Sequence, residues 1–348
     1  MTAHGDPSRR RFLGAVAMLA GHAGATTLDA RSASRDQPPP AAADVAEASR
    51  ALGTAKQIAA GLLDVGYTDA GPAGGRVVVL LHGWPYDVHS FVEVVPLLVT
   101  AGYRVIVPHL RGFGTTRFLS SETARNGQQA ALALDVIALL DALGIDRAIV
   151  AGFDWGARTA NILAALWPQR CHGLVAVSGY LIANRDANRQ PVTPEAEYAW
   201  WYQFYFATDR GERGYSEHRR DFARLIWRLA SPAWRFDDAT FDRSAGAFDN
   251  PDHVRIVIHN YRWRLGVDSG EARYDAVEAA LAKAPVIAIP AITLQGDADG
   301  APHPDSRAYA AKFTGWYAHR VVAGGVGHNL PQEAPRAFAE AVIDVARV

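Results

Sequence analysis

An aspartate flanked by glycines stands at the point where an apolar run of the sequence gives way to a helical pattern. The run 148–151 has the continuous apolar character of a buried strand, and Gly152-Phe153-Asp154-Trp155-Gly156 follows it directly. Such a turn needs glycines, because it is tight and because the following helix must approach the strand. The layout is that of a nucleophile elbow, with aspartate in the place of serine. We therefore predict that Asp154 is a nucleophile.

Polar residues that could complete a hydrolytic site follow three further apolar runs. They are His82-Gly83-Trp84-Pro85 after the run 76–81, the pair Asp297 and Asp299 after 291–294, and His328 after 320–322. A histidine oriented by a carboxylate can act as a general base, and the spacing favours Asp299 over Asp297 as that carboxylate. The amides of Trp84 and Trp155 would form an oxyanion hole, since one donor comes from the earlier loop and one from the residue after the nucleophile. We expect His82 to support this loop rather than to enter the chemistry.

These residues need a scaffold in which strands and helices alternate. Further apolar runs occur at 104–107 and 174–177, and helical spacing of apolar residues occurs at 128–143, 157–167 and 335–346. Strands that alternate with such helices imply crossover connections, so we predict a mainly parallel central sheet with helices on both faces. The stretch Tyr180 to Ala276 has no clear strand and is dense in aromatic residues and arginines. We interpret it as a helical cap inserted after the sixth strand, above the carboxyl edge where open sheets bind ligands.

The composition excludes several classes of protein. The 348 residues carry a formal net charge of −1, whereas a nucleic-acid binder would usually show a basic stripe. We therefore interpret Arg219-Arg220 and the pair Arg262 and Arg264 as solvated or cap-anchoring charges. The single cysteine, Cys171, excludes an intramolecular disulfide and any cysteine-cluster metal site. No run reaches the ~18–20 apolar residues of a membrane span, so we expect no stable membrane insertion.

The start of the chain has the features of an export signal. Ser8-Arg9-Arg10-Arg11-Phe12-Leu13 precedes a short apolar run and the small residues Ala23-Gly24-Ala25. This is the anatomy of a secretory signal, and the arginine pair before Phe-Leu resembles a twin-arginine signal. We predict a signal over 1–25, a linker over 26–43, a core over 44–179 and 277–348, and a cap over 180–276. The protein would be periplasmic or secreted, after passage through the twin-arginine export machinery.

From about Leu62 to Val348 the chain resembles the α/β-hydrolases with an aspartate nucleophile, and among them the epoxide hydrolases. The order nucleophile, acid, histidine is that of the fold. His82-Gly83-Trp84-Pro85 is similar to the HGxP loop of epoxide hydrolases, in which the x–Pro peptide is typically cis, and Asp154-Trp155-Gly156 matches their nucleophile segment. Two cap segments, Tyr202-Gln203-Phe204-Tyr205-Phe206 and Asn260-Tyr261-Arg262, resemble those that carry two epoxide-activating tyrosines.

The resemblance implies a reaction and a role for each residue. Asp154 would attack the epoxide of a small apolar or aromatic substrate and form an ester, while Tyr202 and Tyr261 donate hydrogen bonds to the ring oxygen. His328, oriented by Asp299, would activate the water that hydrolyses the ester and releases a vicinal diol. No metal or organic cofactor is required.

The sequence departs from the epoxide hydrolase pattern at two positions. Phe153 precedes the nucleophile where the family often has histidine, and His109 replaces a common acidic residue. We expect both residues to shape the pocket without taking part in bond making. Within the cap, Tyr205 is a neighbouring alternative to Tyr202.

Three alternative functions share parts of this pattern. A haloalkane dehalogenase would use the same nucleophile and histidine, with halide donors such as Trp155 and either Trp200 or Trp201. A fluoroacetate-type dehalogenase is favoured by Arg158, although Trp155 stands where that group has a second carboxylate-binding arginine. A non-catalytic binder on the same fold would need the pocket alone.

Export through the predicted route would remove the signal from the mature chain. We therefore expect N-terminal sequencing of the exported protein to show a chain that begins after the predicted signal. A mature chain that still begins at Met1 contradicts the export prediction.

Overall fold

A sheet of nine strands forms the centre of the described chain, which in the computed structural model is residues 51–348. The strands are β1 (Thr54–Ala60), β2 (Leu63–Ala70), β3 (Val77–Leu81), β4 (Arg104–Pro108), β5 (Arg117–Phe118), β6 (Ala148–Gly152), β7 (Cys171–Val177), β8 (Ala291–Gly296) and β9 (Tyr317–Val322). Their order is β1-β2-β4-β3-β6-β7-β8-β9, with β5 paired to β2. β2 pairs antiparallel with β1, β4 and β5, and the six strands from β4 across to β9 are parallel.

Twelve α-helices connect or follow the strands within this range. They are α1 (Val94–Thr100), α2 (Gln129–Ala142), α3 (Trp155–Leu166), α4 (Pro194–Ala199), α5 (Trp201–Phe206), α6 (Asp209–Ala230), α7 (Asp238–Ala245), α8 (His253–Leu265), α9 (Asp275–Ala282), α10 (Ser306–Tyr309), α11 (Leu330–Glu333) and α12 (Pro335–Val345). Helices α4 to α9 lie between β7 and β8, where residues 178–290 contribute no strand to the sheet. The helical cap thus follows the sixth strand of the main path, since the two-residue β5 lies off that path.

The central strands form because their side chains are apolar on both faces. Every residue of β6 is buried, and so are the last four residues of β3. A strand that is buried on both faces needs helices on both sides of the sheet. Two groups of helices supply this cover, since α1 packs with α12 and α2 packs with α3. The predicted mainly parallel sheet with helices on both faces is therefore confirmed.

The apolar runs of the sequence coincide with β3, β4, β6, β7, β8 and β9, but they do not predict the hairpin of β1 and β2. Strand β1 is largely exposed, and its sequence TAKQIAA offers no continuous apolar run. The predicted end of the cap at Ala276 falls inside α9. This helix contacts the core, because the Glu278 carboxylate accepts hydrogen bonds from Gln129 and Ala130 of α2.

The predicted signal and linker, residues 1–43, lie outside the described residues. Within residues 51–348, no helix combines the length and the apolar character that a membrane crossing requires.

Candidate active site

The turn between β6 and α3 holds Asp154 at the sheet edge in a left-handed backbone conformation. Its φ is 51° and its ψ is −121°, values that are strained for a residue other than glycine. A β-carbon on Gly156 would stand 1.9 Å from the Leu81 carbonyl oxygen, and one on Gly152 would stand 2.6 Å from the same oxygen. The glycines of the motif therefore permit the close approach that presents the carboxylate.

The loop after β3 brings a backbone amide to this carboxylate. The Trp84 N–H donates to Asp154 Oδ1 at 2.8 Å, and the Trp84–Pro85 peptide is cis. Gly83 allows the approach, because a β-carbon there would stand 2.3 Å from the β-carbon of Asp154. The Trp155 amide is the first of α3, so no carbonyl of that helix accepts from it. Of the two amides expected in the oxyanion hole, that of Trp84 therefore contacts Asp154, and that of Trp155 belongs to the next residue of the chain.

His82 supports this loop from beneath. Its Nε2 accepts the Leu110 N–H at 3.1 Å, so Nδ1 carries the proton and donates to the Gly83 carbonyl at 3.0 Å. Burial lowers the pKa of His82 and keeps the ring neutral. These contacts are those of a structural residue.

A histidine lies between two carboxylates at the same edge of the sheet. His328 Nδ1 is 3.1 Å from both oxygens of Asp299, and Nε2 is 3.6 Å from Asp154 Oδ2. Asp299 also accepts from Ser178 Oγ at 3.2 Å and from the Ala301 N–H at 2.9 Å. Ser178 was not predicted as a site residue, although a polar residue directly after the run 174–177 was an available signal.

Asp297 has a different set of contacts. Its carboxylate accepts from the backbone N–H groups of Gly324, Gly325 and Val326, each at 2.9 Å. It therefore closes the loop that leads to the histidine. Of the two aspartates left open by the sequence, the structure places Asp299 beside the imidazole.

The charged groups of the site shift one another's ionisation. Burial alone would lower the pKa of His328, but Asp299 and Asp154 raise it well above its usual range. Burial alone would raise the pKa of Asp154, but His328, Arg158 and the adjacent backbone amide lower it. The site therefore pairs an ionised Asp154 with a histidine that retains its proton.

Two cap tyrosines line the same cavity as Asp154 and His328. The cavity has a volume of about 490 Å³ and lies between the sheet edge and the cap. The rings of Tyr202 on α5 and Tyr261 on α8 are 5.4 Å apart, and each is 5.3 Å from the ring of Trp84. Burial and the Asp154 charge raise the pKa of Tyr202 to about 12, and burial raises that of Tyr261 well above its usual value. Both hydroxyls therefore remain protonated and able to donate.

The other aromatic candidates are distributed differently. Trp200 lines the cavity, whereas Trp155 and Trp201 are not among its lining residues within the described chain. Tyr205, the alternative to Tyr202, stacks on Phe222 with the two rings 7° from parallel. It also lies outside the cavity lining.

The two departures from the family pattern lie behind the site. Phe153 is fully buried and packs edge-on against the His328 ring with centroids 6.4 Å apart. Burial lowers the pKa of His109 to about 4, so its ring is neutral. Neither residue belongs to the lining of the cavity that the described residues form, so both can shape it only from outside.

A directed chain of hydrogen bonds fixes the side chain of Trp84. Its indole N–H donates to the Tyr215 hydroxyl at 2.7 Å, and that hydroxyl lies 2.8 Å from His253 Nε2. Burial lowers the pKa of His253 to about 3, and its Nδ1 lies 2.8 Å from the Gly112 carbonyl. Because a carbonyl only accepts, Nδ1 carries the proton, so Nε2 accepts from Tyr215. Trp84 and Tyr215 are 131 residues apart in the sequence, so local sequence patterns could not predict these hydrogen bonds.

The segment that carries His328 is tied to the end of cap helix α6. Ser231 directly follows α6, and its hydroxyl accepts the His328 N–H at 3.0 Å. The same hydroxyl donates to Glu333 Oε1 at 2.7 Å, while Oε2 accepts the Gly327 N–H at 2.7 Å. The cap thus helps to hold the histidine in place.

Two arginines also line the cavity. Arg158 lies one turn beyond Asp154 on α3, and Arg264 lies one turn beyond Tyr261 on α8. The interpretation of Arg264 as a solvated or cap-anchoring charge did not indicate that it lines the cavity. Arg262 does anchor the cap, since it pairs with carboxylates of α6. Residues two apart on a helix do not share a face, which gives the two arginines different surroundings.

Comparisons with known proteins agree with this fold and site. Residues 76–213 match the family model of the α/β-hydrolase fold. A candidate epoxide hydrolase from Klebsiella pneumoniae subsp. pneumoniae, known from a solved structure, is 58% identical with a TM-score of 0.85, over 86% of this chain and 99% of that one. Epoxide hydrolase B of Mycobacterium tuberculosis is 37% identical over 150 residues, or 39% of this chain and 41% of the relative.

A third relative extends the family match. The AB hydrolase superfamily protein YfhM of Bacillus subtilis is 35% identical over 213 residues, or 60% of this chain and 72% of the relative. The chain thus spans less than half of the mycobacterial relative but nearly all of the Klebsiella protein. Together with the sheet, the elbow and the cap, these similarities show that the chain is an enzyme of the α/β-hydrolase superfamily that resembles the epoxide hydrolases.

Proposed function

We propose that this protein hydrolyses an epoxide to a vicinal diol through an ester on Asp154. The observation that carries the proposal is the presence of two protonated tyrosines, Tyr202 and Tyr261, in one cavity with Asp154 and His328. A carboxylate is a suitable nucleophile for a saturated carbon, provided that the leaving oxygen receives a proton. The similarity to epoxide hydrolases supports the same reaction.

The first step forms the ester. The Trp84 N–H holds Asp154 Oδ1, which leaves Oδ2 to attack an epoxide carbon. The ring C–O bond breaks, and its electron pair stays on the ring oxygen, where Tyr202 and Tyr261 donate hydrogen bonds. The raised pKa values keep both tyrosines protonated until the alkoxide develops. Proton donation from a positioned group contributes about 10²–10⁴-fold.

The second step hydrolyses the ester and depends on a change in charge. When Asp154 becomes an uncharged ester, one of the two anions that raise the pKa of His328 is lost. The imidazole then gives its proton back to the tyrosine that protonated the ring oxygen, and neutral His328 can act as a general base, oriented by Asp299. It takes a proton from a water, which attacks the ester carbonyl carbon, and the resulting oxyanion on Oδ1 keeps the hydrogen bond from Trp84. Collapse of this intermediate breaks the bond between the carbonyl carbon and the alcohol oxygen, which releases the diol and restores the Asp154 carboxylate beside protonated His328.

Hydrolysis in ¹⁸O-water tests the ester directly. In one turnover, the diol should contain no label, because its new oxygen comes from Asp154, and the label should appear in the Asp154 carboxylate. Mass spectrometry of the diol and of the peptide that contains Asp154 measures both. Labelled diol after a single turnover would indicate direct attack of water and would overturn the ester mechanism.

Trapping the intermediate is the matching experiment. His328→Gln should accumulate the ester, seen as the mass of the epoxide added to the Asp154 peptide, while His328→Gln combined with Asp154→Ala should show no adduct. In the unaltered protein, the ester should accumulate as the pH falls, because its hydrolysis needs neutral His328. Its formation needs only ionised Asp154, whose pKa is lowered.

Removal of the tyrosine hydroxyls tests the assignment of the substrate class. Tyr202→Phe and Tyr261→Phe should each lower kcat/KM for styrene oxide by about 10²-fold, because the ring oxygen loses a donor. Tyr205→Phe is the matched control, since Tyr205 lies outside the cavity lining and should keep its activity. If both variants instead retain full activity while 1-bromobutane releases halide, the protein is a haloalkane dehalogenase.

The hydrogen bonds that link Trp84 through Tyr215 to His253 predict that Tyr215 is a positioning residue. Tyr215→Phe removes the acceptor of the Trp84 indole N–H, so the amide that stabilises the oxyanion is less well held. We expect roughly tenfold slower ester hydrolysis, less than the loss of ~10²–10³-fold when such a donor is removed outright. Rapid-quench kinetics should show a larger steady-state fraction of ester, whereas Tyr205→Phe should not change it. An unchanged ester fraction at reduced thermal stability would assign Tyr215 a structural role only.

A further inference from the structure

The wall of the cavity contains a buried arginine that has no acidic partner among residues 51–348. Arg158 is 8% exposed, and its Nε donates to the Leu181 carbonyl at 3.0 Å. Within residues 51–348, no carboxylate lies within 4.0 Å of its guanidinium nitrogens. A buried arginine is usually neutralised by a carboxylate, as Arg111 is by Asp135, to which two of its nitrogens donate at 2.6 and 2.7 Å. Arg158 therefore retains the capacity to bind a further acceptor.

The wall of the cavity contains a second arginine. Arg264 lines the same cavity, and its guanidinium carbon is 5.7 Å from the centre of the Tyr261 ring. Its Nε is buried and has no hydrogen-bond partner among the described residues. Burial and the charge of Arg264 together lower the pKa of Arg158 to about 10, so the two guanidinium groups repel each other.

Two like charges are costly in a largely buried cavity unless something neutralises them. Asp154 is the one carboxylate among the described residues that line the cavity, but it is already engaged by His328 and by the Trp84 amide. Its charge also disappears when the ester forms, so it cannot compensate the arginines during the second half of the reaction. The pair lacks an anion that stays bound throughout the cycle.

We propose that the epoxide bound here carries a carboxylate, which Arg158 and Arg264 hold while Asp154 attacks the ring. This inference rests on the proposed function and names its substrate class. A carboxylate matches the fork of N–H donors that a guanidinium presents. Each arginine follows a reacting group by one helical turn, Arg158 from the core side of the cavity and Arg264 from the cap side. We therefore extend the expectation of an apolar or aromatic substrate to one that also carries a carboxylate.

Binding of unreactive probes tests the carboxylate site without any turnover. Calorimetry should show that phenylacetate binds about 10- to 100-fold more tightly than phenylacetamide, because charge-assisted hydrogen bonds are the stronger kind. Arg264→Gln should reduce this preference to threefold or less. Arg158→Lys should retain part of it, since the positive charge remains, whereas Arg158→Gln should lose it.

The matched control is Arg189→Gln, which removes one positive charge from the exposed surface of the cap. It should leave the preference for phenylacetate unchanged. Equal binding of the acid and the amide to the unaltered protein overturns the inference. An unchanged preference in Arg264→Gln overturns it as well, and that variant does not depend on tolerance of a substitution at the buried Arg158.

Turnover separates this inference from the proposed reaction. Styrene oxides with a ring carboxylate should be hydrolysed with at least tenfold higher kcat/KM than the corresponding carboxamides. If both series form diol at equal rates, the epoxide reaction stands and the carboxylate site is refuted. If phenylacetate binds preferentially but no epoxide forms diol, or chloroacetate alone releases halide, the carboxylate site stands and the proposed reaction is refuted.

Discussion

The hydrogen bond from the Trp84 amide to Asp154 is the contact on which the rest of the site depends. It joins the loops after β3 and β6, and it requires backbone approaches that only glycine permits at Gly83 and Gly156. Because β3 and β6 are hydrogen-bonded neighbours, the sheet itself sets the distance between the two loops. The register of these two strands therefore fixes where the Asp154 carboxylate lies relative to the Trp84 amide, and with it which face of the carboxylate is open to a substrate.

The site also depends on a small number of buried charges that cannot all be satisfied at once. The pKa of His328 is raised while that of Asp154 is lowered, so the two side chains are held as a pair of opposite charges. In the proposed reaction, His328 becomes a base only when the charge of Asp154 is removed. The same change would remove the carboxylate charge that acts on Arg158. The proposed cycle is therefore a redistribution of charge among the groups that line the cavity.

Local patterns predicted the parts of this arrangement that are continuous in the sequence. Apolar runs located the parallel strands, and the motif around Asp154 located the elbow, because strand burial and tight turns leave clear local signatures. They could not locate the hairpin of β1 and β2, because β1 is largely exposed and β2, although mostly buried, has polar residues within its sequence LDVGYTDA. Nor could they separate Arg262 from Arg264, since both look alike in an arginine-rich helix and only the tertiary structure decides which one faces the cavity.

The contacts between the cap and the core have a consequence for how substrate reaches the site. The indole N–H of Trp227 on α6 donates to the Pro85 carbonyl at 2.7 Å, beside the Trp84–Tyr215 bond, and Ser231 holds the histidine segment. A cap that swung away from the sheet would break all of these bonds and release both the oxyanion loop and the base. Access of substrate that left these bonds intact would have to occur between side chains at the edge of the cavity rather than by movement of the whole cap.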